Sequence, residues 1–201
     1  MYQIFKKLNI KIFRFMGANV YFNLLFLILF LIIPWYYALS LLVSILIHEM
    51  AHVWMAVRKY YPVYYIEINV VGGMASMRQI NLRDMPIISL VGPFSNLLLV
   101  IIGYFVNLYY PSFLLESFYI VNIFLFIFNI LPIYPLDGGI ALRSWMVYNC
   151  RKFNITAVKA NLYSIYISIF FSTLLIVYGL MSGSIFLLIF GGYFIYLSLQ
   201  N

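Results

Sequence analysis

Six stretches of this chain are almost purely apolar, and short polar or basic breaks separate them. They run approximately from Ala18 to Ile33, Tyr37 to Val57, Pro86 to Tyr109, Phe113 to Leu131, Val158 to Leu180 and Ser184 to Leu199. A helix that crosses a bilayer needs roughly 20 such residues, so the pattern predicts six transmembrane helices. Between the second and third lies Val63-Tyr-Tyr-Ile-Glu-Ile-Asn-Val-Val71, rich in β-branched and aromatic residues, then Gly72-Gly73 and Met74-Ala-Ser-Met77. Two short strands around a Gly-Gly turn are expected there. Their low charge suggests that the hairpin dips towards the membrane, where its backbone must be paired or packed on protein. The expected fold is an all-α polytopic membrane protein, one domain over residues 1–201, with a small membrane-associated β-hairpin between helices 2 and 3.

Composition agrees with that pattern. Hydrophobic residues are 66% of the chain and charged residues 8%, against about 45–50% and 25% in soluble domains. Mean hydropathy is +1.02. The net charge of +7 does not point to nucleic acid, because the basic residues are scattered among the breaks rather than gathered in a patch. They read instead as topology signals. With six spans, one side of the membrane receives Lys6, Lys7, Lys11 and Arg14, then Arg58, Lys59, Arg78 and Arg83, then Arg143, Arg151, Lys152 and Lys159, which is all twelve. The positive-inside rule puts both termini and both longer breaks in the cytoplasm. The first apolar stretch could be read as a signal peptide, but bulky Ile33-Pro-Trp-Tyr-Tyr37 follows it instead of a small-residue cleavage site. The single Cys150 excludes an internal disulfide.

The second stretch contains His48-Glu-Met-Ala-His52, an H-E-x-x-H motif with the only two histidines of the chain. Positions four apart share one helix face, so both imidazoles can hold one zinc ion with Glu49 beside them. Ionisable groups at membrane depth are costly and usually functional. Catalytic zinc takes three protein ligands and a water, so a third is needed. Pro132, Pro135 and Gly138-Gly139 should break the fourth helix and deliver Asp137 near its cytoplasmic end. Glu116 falls on the opposite side in this topology, Asp84 and Cys150 lie in ordinary breaks, and Glu67 lies in the hairpin, which leaves Asp137 as the best candidate. The motif ends six residues before Arg58, roughly 9 Å inside the cytoplasmic end of its helix, a compatible depth.

H-E-x-x-H on one membrane helix with Asn129-Ile-Leu-Pro-Ile-Tyr-Pro-Leu-Asp-Gly-Gly139 at the end of a later one resembles the site-2 protease family of intramembrane zinc metalloproteases. Within it, the Leu131–Gly139 stretch and the six-helix plan look most like the bacterial stage IV sporulation, sigma-factor-processing branch. The resemblance implies one Zn2+ per chain held by His48, His52 and Asp137, Glu49 as catalytic base, and Asn129 as a polar active-site residue. Gly92-Pro-Phe-Ser-Asn96 matches a further family motif, and Gly72-Gly73 matches the membrane-dipping hairpin. Ala51 stands where many members have glycine. No PDZ domain and no C-terminal nucleotide-sensing domain is expected.

The implied activity is hydrolysis of peptide bonds in membrane-spanning or membrane-associated protein substrates near the cytoplasmic face. Asn129 could donate to the developing oxyanion or cap its broken helix. Gly72 and Gly73 could contact an unwound substrate along the hairpin edge, or simply turn the chain. Asn96 could contact substrate, or bond between helices. The expected partners are such a substrate, a membrane-protein regulator and the lipid bilayer, with no nucleic acid, and the expected location is the bacterial cytoplasmic membrane. Two other readings remain at this stage. A zinc transporter would need successive metal sites, and no further histidine exists; a catalytically silent scaffold or chaperone would be marked by a lost ligand or base, and none is lost.

Overall fold

The computed structural model describes residues 9–69, 72–77 and 80–200. Two strands open it, β1 (Asn9–Phe15) and β2 (Ala18–Asn23), followed by a 3-10 turn (Leu24–Ile28) and the short helix α1 (Leu29–Ile32). Helix α2 (Trp35–Arg58) carries the histidines. Strands β3 (Val63–Asn69) and β4 (Gly72–Met77) precede α3 (Met85–Tyr109) and α4 (Phe113–Ile130). Then come α5 (Asp137–Tyr148), a 3-10 turn (Cys150–Phe153), α6 (Ala157–Ser182) and α7 (Ile185–Leu199). Contacts gather these into two compact units, Met1–Ile80 with Val91–Phe126 and Asn81–Leu90 with Ile127–Asn201.

Among the described residues, four helices, α2, α3, α4 and α6, are long and apolar enough to cross a membrane, and α7 is a shorter apolar helix of 15 residues. The expected first helix, Ala18 to Ile33, is therefore a correction: it is a strand, a 3-10 turn and four helical residues. Met16 and Gly17, with φ of 46° and 93°, form a two-residue hairpin loop between the paired residues Phe15 and Ala18. Positive φ at both central positions matches the right-handed twist of flanking strands. Ala18 and Val20 then alternate inward, fully buried, with the period of a strand rather than a helix.

The sheet is also larger than the expected hairpin. Four strands lie in the order β1-β2-β3-β4, with β2 parallel to β3, pairing Asn19 with Tyr65 and Phe22 with Ile68. Parallel neighbours need a long crossover, here supplied by α1 and α2. The strands β3 and β4 are antiparallel, with Asn69 opposite Gly72. Gly72 and Gly73 are thus strand residues rather than the expected turn; residues 70 and 71 lie outside the described residues, as do Lys6, Lys7 and Arg78. At the far end of α2, the Arg58 guanidinium lies 4.2 Å above the Trp54 ring, the arrangement of cation and aromatic that anchors helices at a membrane interface.

Candidate metal centre

One face of α2 is polar from Ser40 to His52. Ser40, Ser44, His48 and His52 recur every fourth residue and all are buried. Each serine finds a partner on α4: Ser40 Oγ lies 2.9 Å from Ser117 Oγ, and Asn122 Nδ2 donates to Ser44 Oγ at 2.8 Å. Without water in the bilayer core, such groups must be satisfied by neighbouring helices. The signal for both serines is in the chain itself: they lie four and eight residues before His48.

The two imidazoles stand at 77° to each other, with their Nε2 atoms 3.1 Å apart. Two nitrogens bound at about 2.0–2.1 Å to one tetrahedral ion would stand about 3.3 Å apart, so this is ligand spacing. Helix α3 closes over the pair. Gly92 is buried, and a Cβ built there would collide with His52 Nε2 and stand 2.8 Å from His48 Nε2. The glycine leaves open a volume within bonding range of both nitrogens. Asn96, one turn further and wholly buried, presents its Oδ1 3.3 Å from His48 Nδ1, while its Nδ2 has no hydrogen-bond partner among the described residues. Of the two contacts considered for Asn96, the structure thus gives it one between helices. Glu49 is buried beside the histidines, 6% exposed.

Asp137 is placed by a different device. Helix α4 ends at Ile130, residues 131–136 are not helical, and Asp137 opens α5. A Cβ on Gly138 would strike the carbonyl oxygen of Ile130 and stand 2.5 Å from that of Leu131; one on Gly139 would strike the Ile133 carbonyl and stand 2.5 Å from Tyr134 N. The glycines do more than help to break the helix. They let the first turn of α5 press against the 130–134 backbone, which any side chain would prevent. Tyr134 N donates to Ser168 Oγ at 2.9 Å, and Ser168 Oγ lies 2.7 Å from Ser198 Oγ, so α6 and α7 tether the segment that leads to Asp137.

The ligand atoms of His48, His52 and Asp137 all lie within 4.8 Å of one another. Two imidazoles and one carboxylate are a donor set suited to zinc with a coordination position left for water, and the space left by Gly92 fits an ion. Among the described residues no other His, Cys, Asp or Glu joins the group. Glu67 is half-buried in β3, Glu116 is exposed in the first turn of α4, and Asp84 and Cys150 lie in turns. Asn129 is half-buried in the last turn of α4.

The sequence model of peptidase family M50 matches residues 36–113 and 110–175. A zinc metalloprotease of Methanocaldococcus jannaschii is 26% identical over 199 residues, a match that takes in 90% of this chain and 57% of that protein. The chain therefore spans a little over half the length of that relative. Among solved structures, the site-2 protease from Methanocaldococcus jannaschii shares the fold with a TM-score of 0.67 at 23% identity, over 96% of this chain and 94% of that one.

Proposed function

Because the chain belongs to peptidase family M50, we propose that it is an intramembrane zinc metalloprotease that cuts membrane-spanning or membrane-associated protein substrates near the cytoplasmic face. The observation that carries this reading is the convergence of His48, His52 and Asp137 within 4.8 Å, on the donor set that such chemistry uses. These three residues would hold the ion. When bound, zinc lowers the pKa of a coordinated water to about 7 and polarises the scissile carbonyl. Glu49, buried next to both ligands on the same helix, takes the proton of the attacking water and hands it to the leaving amide nitrogen. Asn129, eight residues before Asp137, orients the substrate or donates to the oxyanion.

A helical substrate hides its carbonyls, so cutting requires local unwinding. The edge strand β4, which holds Gly72 and Gly73, could receive the unwound segment as an added strand. Regulation by another membrane protein, location in a bacterial cytoplasmic membrane, and kinship with the sporulation branch belong to the same proposal; the Leu131-Pro-Ile-Tyr-Pro-Leu-Asp-Gly-Gly139 stretch supports the last.

Orientation follows the charges. Arg58, Lys59, Arg78 and Arg83 fall from the end of α2 to the start of α3, and Arg143, Arg151, Lys152 and Lys159 from α5 to the first turn of α6, while the α3–α4 and α6–α7 turns carry no Lys or Arg. By the positive-inside rule this supports a cytoplasmic location for the former pair of segments. The N-terminus joins them if residues 18–32 cross the bilayer without a long helix. Laid end to end, strand, 3-10 turn and helical residues reach about 36 Å, against about 30 Å of hydrocarbon. The β2 backbone is paired on both sides, by β1 and β3, as a strand at that depth must be. Cysteines introduced near Lys59 and Lys152 should resist an impermeant reagent in intact cells and one at Ser112 should react; labelling at Lys152 would reverse the orientation.

The function itself is tested by mass spectrometry of membrane peptides from cells carrying the wild type or Glu49→Gln. Peptides ending within the cytoplasmic half of a membrane span should vanish in the variant. An identical peptide set in both would remove the protease reading.

A further inference from the structure

Between the histidines of α2 and the rest of its unit stands one turn of α3 whose residues are not ligands yet touch both ligands. We propose that Gly92 and Asn96 are the positioning residues of the metal centre: Gly92 keeps the coordination volume open, and Asn96 fixes the tautomer of His48 so that its Nε2 faces that volume. This rests on the reading of the site as a zinc centre.

The case for Gly92 is steric. Its missing Cβ would collide with His52 Nε2 and stand 2.5 Å from His52 Cε1 and 2.8 Å from His48 Nε2. Small residues in membrane helices commonly serve to bring backbones together. Here the nearest atoms are the tips of the two imidazoles, not the α2 backbone. An alanine could be accommodated by turning the rings away, which spares the helix crossing and destroys the ligand pair. The main chain is held in place by Ser95, whose Oγ donates to the Gly92 carbonyl at 2.7 Å.

The case for Asn96 rests on what it bonds and what it leaves unbonded. A neutral imidazole carries one proton, and the nitrogen that holds it cannot bind metal. An acceptor opposite Nδ1 selects the tautomer with Nδ1–H and leaves the Nε2 lone pair for the ion. Asn96 Oδ1 is that acceptor, at 3.3 Å. Its Nδ2 is buried without a partner among the described residues, and a buried donor left unmade is a cost to folding. An apolar residue of the same shape would avoid that cost. The amide therefore serves His48 rather than stability, and Asn96→Leu separates the two roles.

Only two histidines exist in the chain, so 15N-imidazole NMR of the full-length protein in micelles contains two ring systems. Metal-stripped wild type should show one histidine in a single tautomer, protonated at Nδ1. Asn96→Leu should turn it into a mixture of tautomers and raise the zinc dissociation constant 10- to 100-fold, measured by competition with a chromophoric chelator. Its helicity and thermal midpoint should be unchanged or higher. Asn96→Asp, which keeps the acceptor, should retain one tautomer and bind zinc within a few-fold of wild type. Gly92→Ala should stay folded by circular dichroism and lose zinc affinity at least 100-fold.

Unchanged zinc affinity in Asn96→Leu with a single tautomer would overturn the role of Asn96. Zinc binding by Gly92→Ala at wild-type affinity, or its failure to fold, would assign the glycine to helix packing and overturn its part. These readouts do not involve proteolysis. A wild type that binds zinc and obeys this pattern but cuts nothing would sink the protease reading alone, whereas a proteolytic wild type whose variants bind zinc normally would sink this proposal alone.

Discussion

His48 and His52 sit on one uninterrupted helix of 24 residues, whereas Asp137 follows six residues, Leu131 to Leu136, that belong to no helix. In α2 the geometry of the pair is local: a four-residue spacing and the helical repeat bring both rings to one face. At Asp137 nothing local suffices. Its place depends on two glycines that admit backbone against backbone and on a hydrogen bond from Tyr134 to Ser168, 34 residues away in sequence. The backbone placement of the two histidines should therefore withstand loss of the serine contacts along α2, while that of Asp137 should not withstand loss of its supports.

The largest effect expected is on chemistry without any loss of ligand geometry. Glu49→Gln should reduce peptide hydrolysis by roughly 10²- to 10⁴-fold, the usual contribution of a positioned base, with zinc still bound because both imidazoles and Asp137 remain. Turnover of the purified variant and its metal content by elemental analysis decide this. Comparable turnover would remove Glu49 from the chemistry.

Removal of the ligand after the break comes next. Asp137→Asn should lower zinc occupancy and activity together, while Glu67→Gln should leave both largely intact, since Glu67 is outside the group that gathers at the histidines. A fully loaded, active Asp137 variant would send the search for a third ligand back to Glu67 or Cys150.

Three further substitutions weigh the regions against each other by stability. Gly139→Ala places a methyl group on the Ile133 carbonyl, where no flexible side chain can yield, and should cost about 3 kcal/mol and lower zinc affinity as the segment shifts. Ser168→Ala leaves Tyr134 N without its acceptor and should cost about 1–2 kcal/mol. By contrast Ser44→Ala on α2 should cost only about 0.6 kcal/mol, because Asn122 Nδ2 also donates to the Phe118 carbonyl at 2.8 Å, and zinc affinity should not change. Unfolding by denaturant in micelles ranks the three; a Ser44 variant that loses zinc as Gly139→Ala does would erase the contrast between helix and break.

The sequence by itself determined the membrane class, the span of α2, α3, α4 and α6 within a few residues, and the H-E-x-x-H pair, because apolar length and helical spacing are properties of contiguous residues. It also named Asp137, whose helix break is announced by Pro132 and Pro135. It did not determine the state of residues 18–33, since an apolar run has the same composition as a strand or a helix, and only pairing with β1 and β3 tips β2 to strand. Nor could it assign Gly72 and Gly73 to strand rather than turn, because register is fixed by the partner. What only the tertiary structure decided was the use of small residues: in the chain Gly138 and Gly139 read only as helix breakers and Gly92 only as part of a motif. Each acquires its role from the atoms of distant residues that occupy the place where its side chain would have been.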